Sequence, residues 1–119
     1  MRCKLPNGVI LASQVRYAET FAARLLGMML KKRFPPEYDA LLLTPCNSIH
    51  TFFMLCPLDV FFLDNEIKVL RICENLAPGK GWVMVSGAKH VLELAAGCAA
   101  KSGVKVGDKL IFTERERRG

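Results

Sequence analysis

The segment from Cys46 to Asp64 constrains the fold more than any other part of the chain. It consists of two very apolar runs, with His50 inside the first and Asp59 inside the second. Burial penalises polar groups unless they find hydrogen-bond or charge partners. A fold that buries these two runs must therefore supply partners for both side chains.

Short apolar runs of strand length fill the middle of the chain. Prolines and one polar turn separate them, and they cover residues 40–44, 48–54, 58–64 and 67–74. Asn65 lies in the polar turn and tolerates the left-handed backbone conformation, so the last two runs are predicted to pair as an antiparallel hairpin. Residues 60–63 are apolar at every position, which predicts a central strand that is covered on both faces.

One helix is predicted near the N-terminus, after an opening strand over residues 9–17 that bends near Ser13. Thr20 is a suitable N-cap, and the prolines after Phe34 end the helix. Apolar side chains recur at helical spacing behind the cap, and we expect this stripe to pack into the core. The stripe consists of Phe21, Leu25, Met28 and Met29.

The C-terminal part of the chain predicts short elements as well. Residues 76–88 form a glycine-rich loop with a short strand at 82–85, and residues 90–95 form another strand. Residues 97–103 suit one or two helical turns closed by Gly103, and a last strand covers residues 109–113. Many short strands with one true helix predict a mainly-β sandwich or barrel.

Composition predicts one domain over residues 1–119. The chain has 119 residues, of which 51% are hydrophobic, enough for a core without metals or disulfides. No apolar run approaches the roughly 20 residues that cross a bilayer, and no secretory signal is present, so we expect a cytoplasmic protein with no membrane partner. Five cysteines, an odd number, predict free thiols.

The net charge of +6 raises the question of whether the protein binds nucleic acid. Lysine and arginine gather before residue 34 and after residue 79, but no recognition motif or set of stacking aromatic residues accompanies them. Weak nonspecific nucleic-acid binding is therefore a lesser alternative. The tail 113–119 alternates basic and acidic residues, and we expect it to be a frayed terminus.

Several separated segments resemble the domain of unknown function 192 (DUF192) family, also called uncharacterised protein family 0127. The resemblance spans about residues 9–112. The segments that carry it are Thr20–Met28, Ser48–Met54, Pro57–Phe62, Val91–Gly97 and Gly103–Asp108. It implies a small jelly-roll-like sandwich with a helix after the first strand, and it implies no reaction.

The matched positions suggest a constellation of Arg24, His50, Asp59 and Glu93, to which Ser48 adds a further polar group. A buried carboxylate needs a partner, so Glu93 is expected to meet Arg24, His50 or backbone N–H groups. In the structural interpretation, which we favour, these residues satisfy one another: Asp59 caps backbone donors and Glu93 neutralises Arg24. In the functional interpretation they line a cleft that binds a small polar or anionic ligand.

Two classes of function remain open. The favoured class is a non-catalytic ligand-binding or accessory domain that needs no cofactor, because no triad, metal cage or phosphate cradle is visible. The alternative is a small hydrolase-like or isomerase-like enzyme that uses His50 with Glu93 or Asp59.

More specific chemistries have weaker support in the sequence. Cys46, His50 and Cys56 lack the Cys-x2-Cys spacing typical of a metal site, so no metal is expected. A Cys46 or Cys56 nucleophile with His50 as its base has suitable residue types, but nothing in the spacing brings them together. Trp82 could be a ligand platform, although packing on a sheet edge is favoured.

Overall fold

The structure is a computed structural model that describes residues 1–79 and 81–114. Within these residues the chain forms ten strands and two short helices. In chain order they are β1 (Arg2–Lys4), β2 (Ile10–Ala12), β3 (Val15–Ala18), α1 (Phe21–Leu26), β4 (Ala40–Leu43), β5 (Ser48–His50), β6 (Leu58–Leu63), β7 (Val69–Leu76), β8 (Trp82–Met84), β9 (His90–Ala95), α2 (Cys98–Ser102) and β10 (Ile111–Thr113). The mainly-β class is confirmed.

A five-stranded sheet in the order β3-β4-β9-β6-β7 forms the centre of the fold. Its first pair is parallel and the other three pairs are antiparallel. Side chains alternate between the two faces of a strand, so Phe61 and Leu94 enter one core while Val60 and Phe62 enter another. The three-stranded sheet β10-β1-β2 contributes to the first core, and the two-stranded sheet β5-β8 contributes to the second.

The central hairpin is confirmed. β6 and β7 pair antiparallel around the turn at residues 64–66, where the Asp64 carboxylate accepts the backbone N–H of Glu66 at 2.8 Å and that of Lys68 at 2.9 Å. β6 also pairs with β9 on its other edge, and all six of its residues are buried. Coverage on both faces explains why β6 shows no alternation between apolar and polar residues.

The predicted opening strand is two strands that belong to different sheets. The strand is interrupted at Ser13 and Gln14, whose backbone N–H groups each donate to the Asp39 carboxylate at 2.8 Å. β2 lies in the three-stranded sheet and β3 in the central one, so the expected bend is a complete change of sheet. β1, at residues 2–4, was not predicted from the sequence.

Helix α1 starts as predicted and ends early. The Thr20 hydroxyl accepts the backbone N–H of Ala23 at 3.0 Å, as an N-cap does. The helix ends at Leu26 because Gly27 adopts a φ of +41°, well before the prolines. No residue of α1 is buried, and Phe21 is 75% exposed. The prediction that its stripe packs into the core is therefore wrong for Phe21 and Leu25.

The strand predicted over residues 48–54 is also shorter in the structure. β5 ends at His50, and residues 51–54 turn back with Phe53 at a φ of +60°. Met54 then bridges to Met29, which connects this turn to the segment after α1.

Three further expectations concern the cysteines, the membrane and the tail. All five cysteines are unpaired, with Cys3 buried and the other four partly buried. None of the helices in the described part of the chain is long and apolar enough to cross a membrane. The predicted frayed tail lies outside the described residues from residue 115 onward.

Candidate functional site

A cleft of about 280 Å³ opens between α1 and the β5-β8 sheet, beside β9. Four of the five residues that the sequence singled out line it: Arg24, Ser48, His50 and Glu93. The fifth, Asp59, lies elsewhere. The cleft volume is near the lower end of the range for ligand pockets, which starts at about 300 Å³.

Glu93 is the buried acid of the cleft. It sits on β9 opposite Leu41 on one side and Val60 on the other, so it belongs to the face that carries the second core. Its side chain is only 4% exposed, and Oε1 has no hydrogen-bond partner among the described residues. Burial raises the pKa of this carboxyl to about 7, because desolvation disfavours the charged form.

Gly27 lets α1 approach Glu93 closely. A Cβ at this position would lie 3.2 Å from Glu93 Oε1 and 3.7 Å from Oε2, and the φ of +41° is one that side chains rarely permit. The end of α1 and the carboxyl of β9 are thus in near contact at one end of the cleft.

His50, which lines the same cleft, carries a second unsatisfied buried atom. Its Nε2 lies 3.0 Å from the backbone carbonyl of Leu25. A carbonyl only accepts, so Nε2 carries the proton, and in the neutral ring Nδ1 is left as an acceptor. Nδ1 is buried and has no partner among the described residues. The imidazole packs beside Trp82, with 5.1 Å between ring centroids.

Arg24 does not neutralise Glu93. Its guanidinium donates to the backbone carbonyl of Glu19, just before α1 begins. Burial is the sole cause of the raised pKa of Glu93. Both charges act on the Cys46 thiol, whose pKa Glu93 raises and Arg24 lowers. The ion pair expected between Arg24 and Glu93 is therefore absent, and the expected partner for the buried carboxylate is missing.

Asp59 lies on the opposite face of the central sheet and has a structural role. It is 1% exposed, and its two oxygens accept backbone N–H groups from Asn75 at 2.8 Å, Gly97 at 3.1 Å and Ala99 at 2.8 Å. These bonds hold the start of α2 and the end of β7 against β6. The interpretation of Asp59 as a cap for backbone donors is confirmed, and Asp59 does not line the cleft that His50 and Glu93 share.

The cysteines of this region do not form a reactive or metal-binding group. The Cys46 thiol donates to the backbone carbonyl of Ser48 at 3.0 Å, and burial raises its pKa, which lowers the share of the nucleophilic thiolate. Cys56 has its pKa raised by burial in the same way. No group of three or more His, Cys, Asp or Glu side chains with metal-binding geometry occurs in residues 1–79 and 81–114.

Exposed apolar side chains surround the mouth of the cleft. Phe21 is 75% exposed and Trp82 is 65% exposed, and Leu25 and Leu26 are exposed beside them. The packing on a sheet edge that was favoured for Trp82 leaves most of its ring open to solvent. The close approach at Gly27 and this apolar rim were not predicted from the sequence, although the helical stripe of α1 was a signal for the rim. A large exposed apolar patch commonly marks a binding site.

Comparisons with known proteins identify relatives. The DUF192 family model, described as an uncharacterized ACR, matches residues 4–112. A UPF0127 protein of Thermococcus sibiricus is 30% identical over 117 residues, which cover 94% of this chain and 74% of that protein. The crystal structure of a protein of unknown function from Novosphingobium aromaticivorans has a TM-score of 0.79 at 24% identity, covering 93% of this chain and 82% of that chain. A Sinorhizobium meliloti protein, provisionally called a transcription regulator, also has a TM-score of 0.79 at 24% identity, over 92% of this chain and 89% of that chain.

Proposed function

This chain belongs to the DUF192 family, and we propose that it is a non-catalytic binding domain whose cleft between α1 and the β5-β8 sheet takes a small ligand. The head group of the ligand donates hydrogen bonds to Glu93 and His50, and its apolar body lies against the rim. Arg24 and Ser48 line the same cleft and complete its polar lining.

One observation supports this proposal above all others. The buried side-chain polar atoms without a hydrogen-bond partner in the described part of the chain are His50 Nδ1 and Glu93 Oε1, and both residues line one cleft. Native proteins rarely leave buried polar atoms unpaired, because each such atom costs about 1–3 kcal/mol. A ligand that supplies the missing donors would recover this free energy on binding.

The size of the cleft favours a small molecule. A volume of about 280 Å³ holds a compact organic molecule with a single ring, and the exposed side chains of Phe21 and Trp82 provide apolar surface at its mouth. Apolar walls with a few convergent polar groups are typical of ligand sites.

The test is a titration of the isotope-labelled protein with benzamide, benzyl alcohol and benzylamine, followed by NMR of the His50 imidazole and the Trp82 indole. We expect saturable shifts of both rings with at least one probe. Glu93→Leu should weaken that binding, since it removes both acceptor oxygens and leaves the apolar packing in place. Glu66→Leu, the same change at an exposed turn position, is the control and should bind normally. Absence of any saturable shift with all three probes would contradict the proposal.

A second candidate is acid–base catalysis by Glu93, and the pKa of its carboxyl supports it. A pKa of about 7 matches that of an efficient general base at neutral pH. In this candidate the carboxylate would take a proton α to a carbonyl of the substrate and return it. Deuterium exchange from D2O into cyclohexanone is the assay: exchange that depends on the protein and disappears in Glu93→Gln would favour the enzyme, and exchange equal to the blank would exclude this reaction.

A further inference from the structure

We infer that the head group of the ligand is a cation, specifically a primary ammonium on a small apolar body, bound between the carboxylate of Glu93 and the imidazole of His50. This inference rests on the proposed function, because it names the class of ligand that the same cleft takes.

The number of missing donors favours an ammonium. The two unsatisfied atoms of the cleft are both acceptors when His50 donates through Nε2 to Leu25 and Glu93 is ionised. A hydroxyl supplies one donor, whereas an ammonium supplies three, which is enough donors for two acceptors. An amide also supplies two donors, but it brings no charge.

The negative charge of Glu93 favours an ammonium over an amide as the head group. Glu93 has no counter-charge in contact within residues 1–79 and 81–114, and its burial is what raises its pKa to about 7. A cation placed beside a desolvated carboxylate replaces the hydration that the carboxylate has lost, and hydrogen bonds between charged groups are the strongest class. An anionic head group would instead face the negative charge of Glu93.

Arg24 lines the cleft as well, but its charge is held at the far end of α1. The guanidinium is bound to the carbonyl of Glu19, which precedes the helix, while Glu93 contacts Gly27, which follows it. Glu19 and Gly27 are eight residues apart on either side of α1, which corresponds to about 12 Å along a helix axis. A small ammonium at Glu93 therefore does not need to contact Arg24.

The rim suits a cation with an apolar body. Trp82 and Phe21 line the cleft with largely exposed aromatic rings, and an aromatic face attracts a cation in addition to covering apolar surface. The centroid of the Trp82 ring is 5.1 Å from that of His50, so a head group bound at Nδ1 lies near the indole. Trp82 is the single tryptophan of the chain, which makes its fluorescence a direct probe of the site.

The experiment compares three probes of nearly equal size that differ in charge: benzylamine, benzyl alcohol and benzoate. Each is titrated into the protein at pH 8, where Glu93 is ionised, and Trp82 fluorescence is recorded. We expect benzylamine to bind about tenfold or more tighter than benzyl alcohol, since it forms a charge-assisted bond, and benzoate to bind weakest. Glu93→Gln should remove the preference for the amine, and Glu66→Gln should keep it.

The outcomes distinguish this inference from the proposed function. If benzyl alcohol binds in the cleft as tightly as benzylamine, the ammonium inference is overturned and the binding function stands. If benzoate, which has no donor, binds as tightly, the donor head group of the proposed function fails as well. If no probe changes Trp82 fluorescence or the His50 NMR signals, both fail. The comparison of the three probes uses the unaltered protein, so it decides the matter even if the Glu93→Gln variant does not fold.

Discussion

Replacing Glu93 by glutamine should change how the stability of the protein depends on pH. In the folded protein the pKa of Glu93 is about 7, whereas its ordinary value is 4.5. Each unit of pKa corresponds to about 1.4 kcal/mol, so this difference corresponds to about 3 kcal/mol of unfolding free energy. That is a large fraction of the roughly 5–15 kcal/mol that keeps a typical domain folded.

The direction follows from which state holds the proton. Below pH 4.5 the carboxyl is protonated in both the folded and the unfolded state, so its ionisation does not lower the unfolding free energy. Between pH 4.5 and about 7 the unfolded chain releases its proton first, which favours unfolding. The stability that this group contributes is therefore complete below pH 4.5, declines as the pH rises from 4.5 to about 7, and is lost above that.

Urea unfolding from pH 5 to pH 9 measures this effect. Glutamine carries no charge at any pH, so the unfolding free energy of the wild type minus that of Glu93→Gln should fall by about 3 kcal/mol across this range. Other titrating groups, such as His90, largely cancel in the difference. For Glu66→Gln, the plot of unfolding free energy against pH should run parallel to that of the wild type. If the Glu93→Gln curve also runs parallel, the carboxyl is either hydrated or paired, and the reasoning is refuted.

Three more predictions concern single positions, each measured by urea unfolding at pH 7. Asp59→Asn should destabilise by about 2–4 kcal/mol, because an amide cannot accept all three backbone N–H groups; a loss below 1 kcal/mol would contradict the capping role. Phe21→Ser should change stability by no more than about 0.5 kcal/mol, whereas Phe61→Ala in the buried strand should cost about 3–5 kcal/mol; equal losses would show that α1 packs into a core. Gly27→Ala should cost about 1–2 kcal/mol, since its φ is +41° and its Cβ would crowd Glu93; a neutral change would mean that α1 and β9 are further apart.

The sequence predicted well the elements that depend on local patterns. The hairpin of β6 and β7 follows from a polar turn between two apolar runs, and the absence of alternation in β6 correctly indicated burial on both faces. The N-cap at Thr20 and the C-cap at Gly103 were likewise readable, because capping uses residues within one turn of the helix end.

Elements that depend on distant pairing were not predictable. β1 is a three-residue strand that exists because β2 and β10 pair with both its edges. Helix α1 stops at Gly27 and its following segment bridges to Met54, a contact that neither propensity nor periodicity contains. The same contact accompanies the turn that ends β5 at His50, so the sequence overestimated both elements.

The candidate site shows the same division. The polar residues in apolar surroundings were recognised from the sequence, and three of them, Arg24, His50 and Glu93, line one cleft. The fourth residue, Asp59, does not line the cleft because of the strand register. Val60 pairs with Glu93, so Asp59, one residue earlier, points to the other face of the sheet. A sequence without strand pairing cannot distinguish these two faces. Nor could the sequence show that Glu93 and Arg24 form no ion pair.

The most direct test of the account is the titration of the Glu93 side-chain carboxyl, followed by carbon-13 NMR in the ligand-free protein and again with benzylamine. We expect a midpoint near pH 7 without the amine, and a clearly lower midpoint when the amine is bound beside the carboxylate. A midpoint near 4.5 that does not move when benzylamine is added would show that Glu93 is neither desolvated nor the acceptor of the cleft.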